Sequence, residues 1–193
     1  MEENHTQELI MQEALQLFAS KGYAAVSMRD IASAVGIRAS SIYHHFGAKQ
    51  EIFDALVQKA DDLKEHLRLM FLQTFAQVQD VEEDEFIQAG VFFLTGYLFH
   101  EQVRPLLQVL ECERFHSEEA QKAWSELLFQ APLEHEEKVF QMLIERGGIV
   151  GTDAKELAAQ YQSAILLAYF TGDIEQLKRQ LKNFYQRTFQ SCA

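Results

Sequence analysis

The chain has 193 residues, of which 48% are hydrophobic and 24% charged, and it carries a formal net charge of −12. Two prolines, nine glycines and few β-branched runs indicate a nearly all-helical protein of one or two compact units. The two cysteines, Cys112 and Cys192, lie far apart in the sequence, which argues against a disulfide framework. The sequence shows no signal-like start and no apolar run long enough to cross a membrane. Together these features predict a cytoplasmic protein.

Helix 1 is predicted to run from about Asn4 or Thr6 to Ala19. Apolar residues recur along one of its faces at helical spacing, as expected for a helix that packs against a core; they are Ile10, Ala14, Leu17 and Phe18. The Lys21-Gly22 pair then ends the helix.

The next segment predicts two short helices joined by a tight turn. Ser27 can cap the first, with Asp30 in capping-box register, and Gly36 stands where the turn needs a positive φ. The second helix is expected from about Arg38 to His44. Apolar anchors for packing the pair are Met28, Ile31, Val35, Ile37 and Ile42. The outward positions of the second helix are small, polar or cationic and suit a DNA major groove: Arg38, Ala39, Ser40, Ser41, Tyr43 and His44.

A set of residues around this segment matches a known pattern: Ala14, Leu17-Phe18, Gly22-Tyr23, Ser27-Met28, Ile31-Ala32, Ala34-Val35-Gly36-Ile37, Ile42-Tyr43, His45-Phe46, Lys49 and Ile52. With them, about the first quarter of the chain resembles the N-terminal domain of the TetR (tetracycline-repressor) family of bacterial transcription regulators. A helix-turn-helix pattern alone would also fit a structural αα-hairpin, but the first helix and the exit helix accompany it here.

The resemblance implies an all-α fold of about nine helices. Residues 1–47 would form a three-helix, helix-turn-helix DNA-binding domain, and residues 48–193 an effector-binding and dimerisation domain. It further implies a double-stranded DNA operator as partner. The residues expected to face its bases are Arg38, Ser40, Ser41 and His44, and those expected to hold its phosphates are Ser27, Tyr43 and Lys49. His45 and Phe46 are expected to support the recognition helix by packing.

The sequence departs from the family pattern at a few positions. Arg38 replaces the usual Ser or Thr cap, Ala39 and Ser40 replace a basic residue and a glycine, and Ala48 leaves Gly47 to cap helix 4. The negative net charge is also unexpected, since a DNA-binding protein is expected to carry a basic surface. Residues 1–50 hold four Lys/Arg and five Asp/Glu, so nearly all the acidity lies in residues 51–193. We therefore expect few phosphate contacts per subunit and a dependence on dimerisation.

The rest of the chain predicts six more helices. Helix 4 starts near Ala48 and runs to about residue 75, and helix 5 covers roughly residues 83–100. Arg104-Pro105 opens helix 6. Ser117 starts helix 7, which Pro132 splits or kinks and which Gly147-Gly148 ends. Thr152-Asp153 caps helix 8, Gly172 ends it, and Asp173 caps helix 9.

Helices 8 and 9 carry apolar stripes that could form a homodimer interface or face the core of their own domain. The resemblance and the half-site logic of DNA recognition favour a homodimer through these helices. The interface residues expected on this basis are Tyr161, Ile165, Tyr169, Leu177, Leu181 and Phe184.

The middle helices are expected, by resemblance, to enclose a pocket for an unknown small-molecule effector. Each candidate taken alone also fits a core or surface residue. The candidate liners are Phe93, Tyr97, His100, Leu107, Glu111, Phe115, Trp124, Phe140 and Tyr161. No cofactor is expected, and the spacing of His100, Cys112 and His116 matches no recognised metal-ligand set.

These patterns predict a transcriptional repressor released from its operator by a small hydrophobic or aromatic ligand. The alternative is a helical dimeric interaction or ligand-binding protein that has lost specific DNA binding, as the net charge and Ala39 suggest. No catalytic constellation is visible in the sequence, so an enzyme is not expected.

Overall fold

The structure is a computed structural model that describes residues 2–77, 81–149 and 153–189, with Thr152 and Cys192 outside the described residues. Within that part of the chain the fold is all-α, as predicted, with nine continuous helices. In chain order they are α1 (Glu2–Lys21), α2 (Met28–Val35), α3 (Ala39–His45), α4 (Lys49–Gln77), α5 (Glu83–Phe93, continued by the π-helical Leu94–Leu98), α6 (Val103–Glu113), α7 (Glu118–Ser125, the π-helical Glu126–Gln130 and Ala131–Glu145), α8 (Ala154–Thr171) and α9 (Ile174–Thr188).

The described residues divide into two compact units. The first unit takes its residues from 1–63 and 101–127, and the second unit from 64–100 and 128–193. Helix α6 therefore packs with the N-terminal helices. The predicted domain boundary after residue 47 separates the expected functions, not the packed units, and it stays a prediction.

The first unit is held together by the apolar face of α1. Ile10, Ala14 and Phe18 are buried on that face, and α1 packs against α2 and α6. An aromatic cluster closes the end of α1: the Tyr23 ring centroid lies 5.0 Å from the centroids of both Phe18 and Phe53. Such ring pairs add stabilisation beyond their buried area. The α2–α3 pair is thereby mounted on a rigid base.

The second unit is built from α5, α8, α9 and the C-terminal parts of α4 and α7. Helices α5 and α9 approach closely at Gly90, where a Cβ atom would lie 2.5 Å from Leu181 Cδ1. Next to this contact the rings of Phe86 and Phe184 stack at 5.6 Å. The glycine permits the close approach, and the aromatic rings fill the space around it.

Helix α7 changes to a π-helical turn just before Pro132, the residue that the sequence predicts to split or kink this helix. Residues Glu126–Gln130 are π-helical immediately before the α-helical segment that contains Pro132. A proline has no N–H to offer the carbonyl four residues earlier, here that of Leu128. The buried Gln162 of α8 donates to this carbonyl instead, at 3.1 Å. A side chain from another helix thus restores the lost bond.

Candidate DNA-binding surface and effector cavity

The capping box predicted at the start of α2 is present. Asp30 N–H donates to Ser27 Oγ at 3.2 Å, and the Ser27 N–H donates to Asp30 Oδ2 at 2.8 Å. Ser27 Oγ–H also donates to Asp30 Oδ2 at 2.5 Å, and the two bonds that Ser27 donates to this carboxylate hold the pKa of Asp30 below its usual range. The capping box also satisfies backbone donors that an uncapped helix end would leave unpaired, so α2 begins at a defined residue.

The turn between α2 and α3 is set by Gly36. Its φ of 78° is left-handed, as predicted, and the Ile37 N–H donates to the Ala32 carbonyl at 3.0 Å. Arg38 then occupies the N-cap of α3 without a side-chain cap hydrogen bond, as its replacement of a Ser or Thr implied. Ile42 is fully buried and anchors α3 to the unit. The opposite face of α3 is therefore turned outward.

The outward face of α3 carries the residues predicted to read DNA. Arg38, Ser40, Tyr43 and His44 are exposed, and Ser41 is half-buried. Tyr43 has 54% of its surface exposed, which is unusual for so large a side chain on a short helix. Two residues complete the support of this face: His45 is half-buried and Phe46 is buried. The surface that α3 offers is polar, compact and unobstructed within its unit.

The Lys49 side chain interacts with residues of its own unit. Its Nζ donates to the carbonyls of Tyr23 at 2.6 Å and Val26 at 2.7 Å, and it lies 4.2 Å from the centroid of the Tyr23 ring. Partial burial lowers the pKa of its ammonium. The Glu51 carboxylate accepts the Gly47 N–H at 2.8 Å. Lys49 thus ties the start of α4 to the loop before α2, and Glu51 ties it to Gly47.

The second unit encloses a cavity between α5, α7 and α8. The cavity volume is about 50 Å³, and part of the cavity is open to solvent. Most of the lining is apolar or aromatic, which is the usual character of small-molecule sites. The lining residues are Phe86, Ala89, Phe93, Pro132, His135, Glu136, Val139, Phe140, Leu143 and Tyr161.

The polar groups of this cavity are perturbed by burial. Glu136 is only 7% exposed, and burial raises the pKa of its carboxyl well above the usual value. Burial, then Arg68 and Lys138, lowers the pKa of His135 to about 4, so its imidazole is neutral at pH 7. Burial and the Glu136 carboxylate raise the pKa of Tyr161. Clustered perturbed groups in a concave site mark it as a candidate functional site.

Three of the predicted pocket residues, Phe93, Phe140 and Tyr161, line this cavity. Tyr97 and His100 belong to the same unit but are not lining residues. The remaining candidates belong to the first unit; they are Leu107, Glu111, Phe115 and Trp124. Of these, Leu107 is fully buried and Phe115 is 73% exposed, so the first is a core residue and the second a surface residue.

The sequence prediction missed Glu136, whose carboxylate lines the cavity. It lies among Glu134, His135 and Glu137, a composition typical of a solvated face. Its position four residues after Pro132 and four before Phe140 nevertheless places it on the buried stripe of α7. Position within the helix, rather than residue type, was the signal that could have found it.

The residues predicted for the dimer interface are placed mostly in the core of the second unit. Ile165, Leu177 and Leu181 have no exposed surface, and Phe184 and Tyr161 are also buried. Tyr169 is half-buried. The large apolar side chains that α8 exposes are Leu167, at 39%, and Phe170, at 58%. A dimer through α8 and α9 would therefore use the outward residues of these helices.

Other candidate sites receive no support within the described residues. No group of three or more His, Cys, Asp or Glu side chains there could hold a metal ion, and Cys112 is an exposed free thiol. None of the helices in the described ranges combines the length and apolar character needed to cross a membrane.

Comparison with known proteins finds that the N-terminal part of the chain is similar to bacterial regulators. Residues 10–56 match the model of bacterial regulatory proteins of the tetR family. Over 49 residues the chain is 41% identical to the HTH-type transcriptional repressor KstR2 of Mycobacterium tuberculosis, a match that covers 25% of this chain and 24% of that repressor. The chain thus matches about a quarter of the length of this curated relative.

Solved structures extend the likeness in fold to the whole chain. A regulator from Mesorhizobium loti assigned to the tetR family superposes with a TM-score of 0.75 and 22% identity, covering 98% of this chain and 100% of that one. SmeT in complex with triclosan superposes with a TM-score of 0.69 and 18% identity, covering 97% and 93%. At these identities the comparison establishes the fold.

Proposed function

We propose that the chain is a DNA-binding transcriptional repressor, because residues 10–56 match the model of bacterial regulatory proteins of the tetR family. It would leave its operator when a small hydrophobic or aromatic ligand fills the cavity of the second unit. The observation that carries the proposal is the exposed polar face of α3, which the Gly36 turn and the buried Ile42 present to solvent.

The exposed face of α3 supports a division of roles in DNA binding. Arg38, Ser40, Ser41 and His44 can reach base edges, whereas Tyr43 and Ser27 can meet phosphates. Lys49 Nζ donates two hydrogen bonds to carbonyls of its own unit. We assign it chiefly to positioning α4 rather than to holding a phosphate.

The cavity supports the effector part of the proposal. Its walls are apolar and aromatic with a few polar groups, which suits a small molecule rather than a macromolecule. SmeT, which has the same fold, has a solved structure in complex with triclosan. A ligand here would shift the population toward a state with lower operator affinity, with α4 as the element that contributes residues to both units.

The proposal is tested by selecting preferred DNA sequences from a random pool with the wild-type chain and with Arg38→Ala. We expect the variant to change the preferred bases, because Arg is the commonest side chain to read guanine. Arg179→Ala is the matched control, since it removes a positive charge that is likewise exposed, on α9. An unchanged preference would remove Arg38 from the readout set, and no selected sequence at all would favour a chain that no longer binds DNA.

A further inference from the structure

Building on the proposed effector role of the cavity, we propose that its ligand is a hydrophobic cation. The class comprises aromatic or alkyl amines and quaternary ammonium or iminium ions. The positive charge would pair with the carboxylate of Glu136, and the apolar body would lie among the aromatic side chains of the cavity.

The first support is the unmatched carboxylate of Glu136. It lines the cavity, is 7% exposed, and its Oε2 has no hydrogen-bond partner among the described residues. A buried polar group without a partner is costly, and native structures hold few of them. A ligand with a positive charge would supply a counter-charge to this carboxylate, and a protonated amine would also donate the missing hydrogen bond.

The second support is the aromatic wall around this carboxylate. Phe86, Phe93, Phe140 and Tyr161 all line the cavity. The Tyr161 ring centroid lies 5.3 Å from that of Phe86 and 5.8 Å from that of Phe140. Aromatic faces carry partial negative charge and attract a cation, most strongly where water is excluded. Carboxylate and rings together therefore favour a positive ligand over a neutral one.

The third support is the distribution of positive charge. No lysine or arginine is among the described residues that line the cavity. Lys64, Arg68 and Lys138 instead line a neighbouring cleft, where Arg68 Nε donates to Glu65 Oε2 at 2.6 Å. An organic anion is the competing ligand class, because its head could reach that cleft. We favour the cation because Glu136, and none of these basic residues, lines the cavity itself.

Binding of a cation would be coupled to loss of a proton. Burial raises the pKa of Glu136, so its carboxyl is protonated in the empty cavity to a higher pH than a free glutamate. The other titratable groups of the described lining stay neutral at pH 7, since the pKa of His135 falls to about 4 and that of Tyr161 is raised. The affinity for a cation should therefore rise with pH while the affinity for a neutral ligand stays constant.

The test uses three probes of one shape and different charge on the full chain. They are N-methylquinolinium, 1-methylnaphthalene and 1-naphthoate, with affinities measured by fluorescence titration or calorimetry. We expect the cation to bind about tenfold tighter than the neutral probe. Glu136→Gln should abolish this advantage and leave the affinity for the neutral probe within about twofold of its wild-type value. Glu134→Gln removes the same charge from an exposed site on the same helix and should change neither affinity.

The outcomes separate this inference from the proposed function. Equal affinity of the cation for wild type and Glu136→Gln, tighter binding of 1-naphthoate than of the cation, or no binding of any probe would overturn it. If Glu136→Gln fails to fold, the pH dependence of cation affinity in the wild type decides, and a flat profile overturns it. Operator release is measured separately: binding of the cation through Glu136 without any release would refute the repressor mechanism and leave the ligand class standing.

Discussion

The buried carboxyl of Glu136 destabilises the protein without a ligand, and a role in ligand binding would explain why it is there. Its carboxyl is buried beside Phe140 and Tyr161, with Oε2 unpartnered among the described residues. Natural proteins accept such destabilised groups mainly where binding or catalysis needs them. The residue therefore links the stability of the second unit to its proposed ligand.

Substitution of Glu136 by Gln is expected to stabilise the empty protein at high pH. The pKa of the folded carboxyl is raised, so the folded state is penalised as pH rises from about 4.5, the value in an unfolded chain, through the raised pKa. The variant should melt roughly 2–4 °C higher at pH 8 and equally at pH 4. His135 and Tyr161 titrate in both proteins, so the difference between the two melting curves isolates Glu136. A gain that is independent of pH would contradict this account.

Lys49 is the residue whose role changes most between pattern and structure. A basic residue at this position suggests a phosphate contact, yet its ammonium donates to the carbonyls of Tyr23 and Val26. Hydrogen bonds from a charged donor contribute more to stability than neutral ones. The side chain therefore contributes to the rigidity of the DNA-binding unit.

Lys49→Ala is expected to lower the free energy of unfolding by about 2 kcal/mol, because two carbonyls lose a charged donor. Operator affinity should fall, yet the slope of log affinity against log salt should stay nearly constant, since no phosphate contact is lost. Lys21→Ala, which removes an exposed charge from the same unit, is the control and should leave stability unchanged. If the slope of log affinity against log salt instead falls by about one while stability stays unchanged, Lys49 contacts a phosphate.

At the scale of the element, α7 shows how one helix tolerates a proline in its middle. The π-helical turn Glu126–Gln130 precedes Pro132, and Gln162 of α8 donates to the Leu128 carbonyl that the proline cannot reach. The helix continues, so Pro132, His135 and Glu136 all line one cavity wall. The irregular turn thus belongs to the architecture of the proposed ligand site, as π-helical turns often do.

A double-mutant cycle tests this exchange of hydrogen bonds. Gln162→Ala should destabilise the protein by about 1–3 kcal/mol, because it leaves a buried carbonyl unpaired. In a Pro132→Ala background the cost should be smaller, since the alanine that replaces the proline has an N–H that can donate to the same carbonyl. Denaturant unfolding of the four proteins measures the coupling. Additive effects would show that the two residues do not compensate for each other.

At the scale of the whole molecule, the charge distribution favours a dimer as the DNA-binding form in the proposed function. The first fifty residues carry almost no net charge, whereas the remainder is strongly acidic. One such subunit has little electrostatic attraction for DNA, and two joined subunits would double the contacts. The exposed Leu167 and Phe170 of α8 are apolar residues available for joining them.

The double substitution Leu167→Glu with Phe170→Glu is expected to convert the chain to a monomer and to weaken operator binding more than about tenfold. Like charges would then face each other across a two-fold axis. Sedimentation velocity and gel-shift titration give the two readouts. Phe115→Glu, at a site 73% exposed in the first unit, is the control and should stay dimeric. A variant that remains dimeric would move the interface away from this surface.

The sequence by itself determined the local features: the capping box at Ser27, the left-handed turn at Gly36, the uncapped start at Arg38 and the order of the helices. Each depends on residues within four positions of one another, so local pattern suffices. Helical spacing also showed which faces are apolar, but not what covers them. That Leu181 faces Gly90, that Lys49 meets carbonyls and that Glu136 opens into a cavity depend on distant residues brought together by packing. Only the tertiary structure decided these contacts, because an apolar stripe fits a core, a pocket or an interface equally well.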